Sequence, residues 1–398
     1  MIVVNTSELV NAASKEVFGE TAVLHEDLSN VVDVGTNVID MASDNQIDQL
    51  TKNLVNQVGL VVMKNMKYRG FAPSVLMDGT EYGSIILKIS CADIPEAESD
   101  NAFKLTDGHA YTGDQTFHGQ KIDVKMFNQK DEFRIPRSVY RRQLKQSFRS
   151  AQELESFMGM LAQNLQNAVF VKIDTLIQAT VLNSIATTFN SEKIASGESG
   201  TKVIKLLTMY NKLHGTDLTP EKALLDPGYM RYATYVMKIV KDRLQRPSKL
   251  FNIGGKLRVT QADEFRCLML SHFKHAAEVF LYDAEGQLKD ENLKLPDADV
   301  VPYWQGSGTS LGLDLAYDDC SKVKVTPRNV DGSVGPVMEI DHVVCAMYDH
   351  SALGVYNEFK EVRVGAYNGD GDFYNTYNVY EGNHFNDPNE NFVIFLNS

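Results

Sequence analysis

Cysteine is scarce in this chain of 398 residues. The four that are present lie far apart, at Cys91, Cys267, Cys320 and Cys345. No CxxC pair occurs, which argues against a thiolate metal site and a disulfide framework and predicts folding in a reducing compartment. The first residues lack the basic and apolar regions of a secretory signal. No apolar run approaches the ~20 residues of a membrane helix, so we expect a cytosolically folded protein without a membrane partner.

Positive charge is also in short supply. Lys and Arg total 39 against 52 Asp and Glu, which gives a formal net charge of −13. Tight, sequence-specific binding of nucleic acid is therefore not expected, because it requires clustered cations. An acidic wall can still line a compartment that holds DNA. No GxxxxGK[ST] string is present, which disfavours a nucleotide-driven motor or a kinase.

The first third of the chain alternates between polar stretches and short apolar runs. Residues 1–50 are polar and predict an extended arm with one or two brief elements. Val58–Met63 and Ser84–Ile89 read as strands, and Ile122, Val124 and Met126 alternate with polar neighbours as in a half-exposed strand. Between these strands, apolar residues thin out over roughly 30 residues. A loop that long predicts an arm or a functional loop.

The strongest local pattern runs from Ser150 to Phe189. Apolar residues recur there at steps of three and four, the period of one helical face. They are Leu154, Phe157, Met158, Leu161, Leu165, Val169, Ile173, Leu176, Ile177 and Val181. Ser150 and Glu153 have the spacing of a capping box at the start of the helix. The pattern predicts one structural helix of about 55 Å.

The rest of the chain changes from mixed to β-rich. After a Ser/Gly break at 196–200, the sequence predicts helices at 203–214, 227–244 and 262–270. From Asp341 onward apolar and aromatic residues predict strands, and the terminal run Phe392–Leu396 predicts a buried one. No repeat at a fixed period is present.

Four places in this order resemble a known family. They are Asn56–Met63, Val124–Phe127, Leu154–Phe157 with the helix that follows, and Ala346–Asn357 with the Tyr-rich Phe373–Tyr380. The chain resembles the major capsid proteins of tailed bacteriophages with the HK97-like fold, most of all the shell proteins of small phi29-type podoviruses. The resemblance covers most of the chain and is least distinctive over 200–340.

The resemblance implies an α+β fold with an N-terminal arm, an extended β E-loop, a long spine helix in a peripheral domain and a mixed α/β axial domain. The corresponding ranges are 1–50 for the arm, 51–130 for strands and E-loop, 131–195 for the peripheral domain with the spine helix, 196–340 for the axial domain, and 341–398 for the β segments that close the peripheral domain. In this family the E-loop reaches over an adjacent subunit.

The resemblance also implies a function and partners. The subunit would self-assemble as hexamers and pentamers into the icosahedral or prolate shell that encloses phage double-stranded DNA. It would be a virion component assembled in the host bacterial cytoplasm, with a portal protein as partner and no catalytic, cofactor or metal site. No long charged helix stands at the N-terminus where some relatives carry a scaffolding region, so a separate scaffolding protein is expected.

Two other readings stay open. The same fold serves encapsulin-type nanocompartment shells. A serine esterase is the second alternative, because Gly308–Gly312 fits the GxSxG pattern with Ser310 as nucleophile. The residues before it form a Gly/Ser loop rather than a buried strand, which favours a surface loop.

Three further motifs favour structural interpretations. His272 and His275 stand three apart without a third metal ligand, which favours a solvated or packed pair. Asn368–Asp372 begins like a calcium loop but lacks its glycine and glutamate, which favours a hairpin turn. A basic cluster consists of Arg134, Arg137, Arg141, Arg142, Lys145 and Arg149. It predicts salt bridges between subunits or contact with an acidic neighbour or scaffold, or equally a solvated helix face, ahead of nucleic-acid binding.

Overall fold

The computed structural model describes most of the chain in two compact units. The described residues are 6–65, 70–77, 86–91, 107–108, 119, 122–127, 130–192, 199–281, 295–305, 317–326 and 334–398. The first unit consists of 1–82, 129–180 and 354–384, and the second of 83–128, 181–353 and 385–398.

The described residues contain both helices and strands. The α-helices are α1 (Thr6–Phe18), α2 (Val31–Val34), α3 (Asp44–Asn65), α4 (Arg141–Ser147), α5 (Ala151–Ser191), α6 (Leu206–His214), α7 (Pro220–Ala223), α8 (Pro227–Leu244), α9 (Ser271–Leu281) and α10 (Tyr317–Ser321). The strands are β1 (Ile86–Cys91), β2 (Ile122–Phe127), β3 (Lys130–Tyr140), β4 (Val203–Lys205), β5 (Phe265–Leu270), β6 (Asp299–Val301), β7 (Val323–Val325), β8 (Met338–Ile340), β9 (Val343–Asp349), β10 (Leu353–Val364), β11 (Phe373–Asn386) and β12 (Phe392–Leu396).

The first unit begins, among the described residues, with the helices α1, α2 and α3, so the prediction of a mainly extended arm was wrong over 6–50. Leu9, Val10 and Ala13 form the buried face of α1, and the Asn53 side chain of α3 donates a hydrogen bond to Glu16 of α1 at 3.0 Å. A short helix rich in Ser, Thr and Asn carries a weak periodic signal and is stabilised mainly by packing. The strand predicted at Val58–Met63 was also wrong, because these residues belong to α3. A short run of β-branched residues does not distinguish a buried helix from a strand.

A three-stranded sheet in the order β10-β11-β3 forms the β part of the first unit. β3 pairs antiparallel with β11 from Phe373 opposite Tyr140 to Asn383 opposite Lys130. Pro136 lies in β3, which is an edge strand of this sheet and so tolerates the missing N–H donor. The β-rich prediction for β10 and β11 is confirmed.

The predicted long helix is confirmed as α5, which has 41 residues and a length of about 62 Å. Ser150 Oγ accepts a hydrogen bond from the Glu153 N–H at 3.2 Å, as the capping spacing predicts. Within the first unit α5 packs on the sheet at Gly382, where an added Cβ would come within 2.9 Å of Leu176. Among the described residues α5 is the one helix long and apolar enough to cross a membrane. Core helices of soluble proteins meet the same criterion, and the predicted apolar face is buried within the protein from Leu154 to Val181.

The second unit is built on a five-stranded sheet in the order β4-β12-β9-β5-β6. Every residue of β9 and β12 is buried, which confirms the prediction of a buried terminal strand. The helix predicted at 262–270 was wrong, because β5 occupies Phe265–Leu270. Its last four residues are all buried, and such a run carries no helical or strand period. Residues 341–398 contribute strands to both units rather than to one.

The helices of the second unit largely match prediction. The stretch predicted as one helix at 203–214 begins as β4 and becomes α6 at Leu206. α8 has the predicted bounds, and Asp226 caps it by accepting the Tyr229 N–H at 2.7 Å. The Tyr229 hydroxyl donates to Asn397 at 2.6 Å, which fixes the end of the chain against this helix.

Candidate assembly surfaces

The strands β1 and β2 form a ladder at the two ends of the long polar excursion. They pair antiparallel from Ile86 opposite Phe127 to Cys91 opposite Ile122. Because side chains alternate across a strand, the ladder has two chemically different faces. The E-loop was predicted near 67–126, and its part between these two strands, 92–121, lies almost entirely outside the described residues.

One face of the ladder is charged and is held by the segment that precedes β12. Lys88 Nζ lies 2.9 Å from Asp387 and 2.8 Å from Glu390. Lys125 Nζ lies 2.6 Å from the other oxygen of Asp387, and Arg258 Nε lies 3.1 Å from Glu390. We call these five residues the ion cluster. Its carboxylates are almost completely buried, so they depend on these cations for compensation.

The ion cluster changes the titration of its central carboxylate. Burial alone would raise the pKa of Asp387, but the hydrogen bonds and positive charges of Lys125 and Lys88 outweigh burial and lower the pKa below its ordinary value. The rings of Phe127 and Phe385 add an aromatic contact, with centroids 5.1 Å apart. The base of the ladder is thereby attached firmly to the second unit.

The opposite face of the ladder is apolar and exposed. Ile89 lies opposite Val124, and the two residues are 65% and 55% exposed. On β2, Ile122 and Met126 flank this pair at 63% and 64% exposure. We call these four residues the apolar face. A contiguous apolar patch on a strand pair is typical of a surface that another protein covers.

The predicted basic cluster does not lie on one helix face, because it is divided between β3 and the segment around α4. Arg134 stacks over Tyr377 at 5.1 Å, and Arg137 donates to the Leu161 carbonyl at 2.7 Å. Arg141 pairs with Asp44 and stacks over Tyr367 at 5.4 Å. These three cations stabilise the first unit. The other three line a surface hollow of about 410 Å³.

The remaining sequence motifs are found in structural settings. His275 pairs with Glu278 at 3.1 Å, and the His272 ring packs against Tyr317. Asn368 Oδ1 accepts the N–H groups of Asp370 and Gly371 at 3.1 and 3.0 Å, which forms the predicted turn between β10 and β11. Across the described part of the chain, no group of three His, Cys, Asp or Glu side chains has the arrangement of a metal site. Gly308–Gly312, including Ser310, lies outside the described residues.

Sequence reasoning missed the ion cluster, because its members are dispersed between Lys88 and Glu390. The sequence did contain signals for some members of the ion cluster. Lys125 alternates with the apolar residues of β2, which marks one face of that strand as polar. The acidic stretch just before the buried strand β12 was the other available signal. Their pairing depends on tertiary structure.

Solved structures with a similar fold are capsid proteins of bacteriophages. The capsid structure of Staphylococcus phage Andhra aligns with a TM-score of 0.50 and 11% identity, over 84% of this chain and 86% of that chain. The mature capsid of bacteriophage PhiM1 aligns with a TM-score of 0.38 and 10% identity, over 83% and 88%. The satellite phage P4 procapsid, which includes a size determination protein, aligns with a TM-score of 0.34 and 11% identity, over 85% and 97%.

The fold is therefore that of an HK97-like phage capsid subunit. No curated protein matches the sequence. The family model for the Phi29-like phage major capsid protein matches residues 9–396, and the chain belongs to this family. It is a structural protein of the virion that assembles with copies of itself into the capsid shell. The family is one of phage capsids, which favours that role over the nanocompartment shell.

Proposed function

We propose that this subunit builds the shell by placing the apolar face of its β1–β2 ladder on an adjacent copy. The observation that carries the proposal is the contrast between the two faces of the ladder. One face is attached to its own chain by the ion cluster, while Ile89, Ile122, Val124 and Met126 are each more than half exposed.

The proposed contact stabilises the shell through repetition. Covering an exposed aliphatic side chain contributes on the order of 1 kcal/mol, so the four together contribute a few kcal/mol for each copy. Such a contact is weak in a single pair of subunits. In a closed symmetric lattice every copy both gives and receives it, so many weak contacts stabilise the shell. An anchored ladder also loses little conformational entropy on binding.

The proposed shell consists of hexamers and pentamers and encloses double-stranded DNA without sequence-specific contacts. The net charge of −13 supports this role, because an acidic wall repels the phosphate backbone. We further propose a separate scaffolding protein and a portal protein as partners. Assembly in the host cytoplasm is supported by Cys267, Cys320 and Cys345, which form no disulfide within the described part of the chain.

The domain assignment of the family carries over as a proposal. The first unit, which holds most of α5 and the β10-β11-β3 sheet, would contain the peripheral domain. The second unit, with its five-stranded sheet, would contain the axial domain and the base of the E-loop. Residues 1–50 would be a helical N-terminal region that packs on its own subunit through α1.

We propose no catalytic role for the chain, and the esterase alternative has a direct test. The purified unmutated protein and the Ser310→Ala variant are each incubated with a chromogenic acyl ester, and the rates of hydrolysis are compared. The structural role predicts the same background hydrolysis for both. Hydrolysis well above background that is lost in Ser310→Ala would support the esterase.

The apolar face is tested with the double variant Ile89→Asp and Val124→Asp. Formation of the contact would then remove two carboxylates from water, which is energetically costly. We therefore expect that the variant does not assemble into shells. Particles are measured by negative-stain electron microscopy and sedimentation, and the fold by circular dichroism. Val279→Asp is the matched control, because Val279 on α9 is 69% exposed and lies outside this face. Normal shells from the double variant would refute the proposal.

A further inference from the structure

Three cations of the predicted basic cluster lie together on the surface of the first unit. Arg142, Lys145 and Arg149 line one surface hollow together with Gln146. None of the three pairs with a carboxylate that the structure describes, whereas Arg134, Arg137 and Arg141 each have a partner within the first unit. We call the site formed by Arg142, Lys145, Gln146 and Arg149 the basic hollow.

The basic hollow is positive in an acidic protein. Arg141 also lines the cavity, as do the carboxylates of Asp40 and Asp372. Arg141 is held by Asp44, and Asp372 accepts a hydrogen bond from the Tyr367 hydroxyl at 2.9 Å. With Asp44 included, four cations against three carboxylates leave an excess of one positive charge on a chain with a net charge of −13. A partner with negative charge fits this surface.

A matching segment exists in the same sequence. Asp93, Glu96, Glu98 and Asp100 place four carboxylates within eight residues, and no Lys or Arg stands between Ala92 and Phe103. We call residues 93–100 the acidic run. It begins two residues after β1 ends at Cys91. Asp100 lies nine positions after Cys91, and an extended chain of that length spans at most about 30 Å.

We infer that the acidic run of one copy docks in the basic hollow of a neighbouring copy. The inference rests on the proposed function, because it names a second contact made by the same excursion. Arg142 and Arg149 would bind carboxylates through bidentate hydrogen bonds, and Lys145 would add a point charge. The surface is exposed, so the contact weakens as salt screens it.

Binding of the isolated segment gives the first test. A fluorescent peptide of residues 92–101 is titrated into the purified subunit at low and at high salt. We expect binding that weakens with salt and falls about tenfold or more in the triple variant Arg142→Glu, Lys145→Glu and Arg149→Glu. If this variant does not fold, the corresponding Gln variant replaces it.

Two controls separate this contact from general electrostatics. The triple variant Lys222→Glu, Arg231→Glu and Lys249→Glu reverses three exposed cations in the second unit and should bind the peptide like the unmutated chain. A peptide with Asn and Gln in place of its acids should not bind. Absence of peptide binding, or equal binding by both triple variants, would overturn the inference. Binding of a DNA duplex in place of the peptide would likewise overturn it and make the hollow a DNA-facing surface.

The second test reverses the charge on each side of the contact in two separate variants. It is carried out under conditions in which the unmutated chain assembles. One variant carries the reversed hollow, and the other carries Lys at positions 93, 96, 98 and 100. Each alone should fail to form shells, because like charges meet. Mixed, they should form hexamers and hexameric sheets, in which the two variants can alternate so that each loop meets a hollow of opposite charge. Failure of the mixture, or normal shells from either variant alone, would overturn this contact while leaving the apolar face untouched.

Discussion

Two pairs of apolar strands within the second unit have different surroundings. In β9 and β12 every residue is buried by the chain itself. In the β1–β2 ladder one face is fixed by the ion cluster, and the other face leaves four aliphatic side chains exposed. The first pair makes the core that lets a subunit fold alone. The second carries apolar surface that folding leaves uncovered, which is what a self-assembling subunit requires.

The largest expected difference between the two strand pairs is the loss of stability when one apolar side chain is replaced by alanine. Phe395→Ala removes a fully buried ring from β12 and should lower the free energy of unfolding by about 3–5 kcal/mol. Val124→Ala on the apolar face should change it by less than about 0.5 kcal/mol. Denaturant unfolding of unassembled subunits measures both. Similar losses at the two positions would mean that the apolar face is covered within the subunit.

The ion cluster should give the next largest effect. Asp387→Asn leaves Lys88 and Lys125 without their shared carboxylate and should lower the free energy of unfolding by about 2–4 kcal/mol. Asp370→Asn is the control, because Asp370 is exposed in the turn between β10 and β11. Equal free energies of unfolding for the two variants, measured in denaturant, would show that the ion cluster does not stabilise the attachment of the ladder.

The same carboxylate predicts a pH dependence with a defined sign. Because the folded-state pKa of Asp387 lies below 3.8, its contribution is complete above that value and is lost as pH falls through the folded-state pKa. The stability difference between the unmutated chain and Asp387→Asn should therefore be constant near neutral pH and shrink below about pH 4. Unfolding curves at several pH values measure it. A stability difference that grows on acidification would contradict the predicted direction of the pH dependence.

Removing the excursion itself should change stability less than either Phe395→Ala or Asp387→Asn. Deletion of residues 95–117 should alter the free energy of unfolding by only about 1 kcal/mol, since loop length enters logarithmically. The deleted chain should fold but not assemble, as judged by circular dichroism and electron microscopy. Normal particles would show that the excursion is dispensable for the lattice.

Periodicity predicted the parts of the fold whose residues share one local environment. The spacing from Leu154 to Val181 predicted α5, and the apolar terminal run predicted β12. It failed where an apolar run is short or buried on all sides, as in α3 and β5. It also failed at α1, whose polar sequence folds as a helix because α3 packs against it.

The assembly surfaces were predictable only in part. The alternation of Ile122, Val124 and Met126 indicated a strand with one apolar face, but its exposure depends on what the folded chain leaves uncovered. The basic cluster was visible as a run of charges. Arg134, Arg137 and Arg141 bind partners within the first unit, namely Tyr377, Leu161 and Asp44. No local sequence pattern links these partners to the arginines.

A cryo-electron microscopy reconstruction of the assembled shell tests the central claim most directly. The account predicts that Ile89, Ile122, Val124 and Met126 are covered by an adjacent copy, while Lys88 and Lys125 stay paired with Asp387 of their own chain. A shell in which these four side chains face solvent would contradict it.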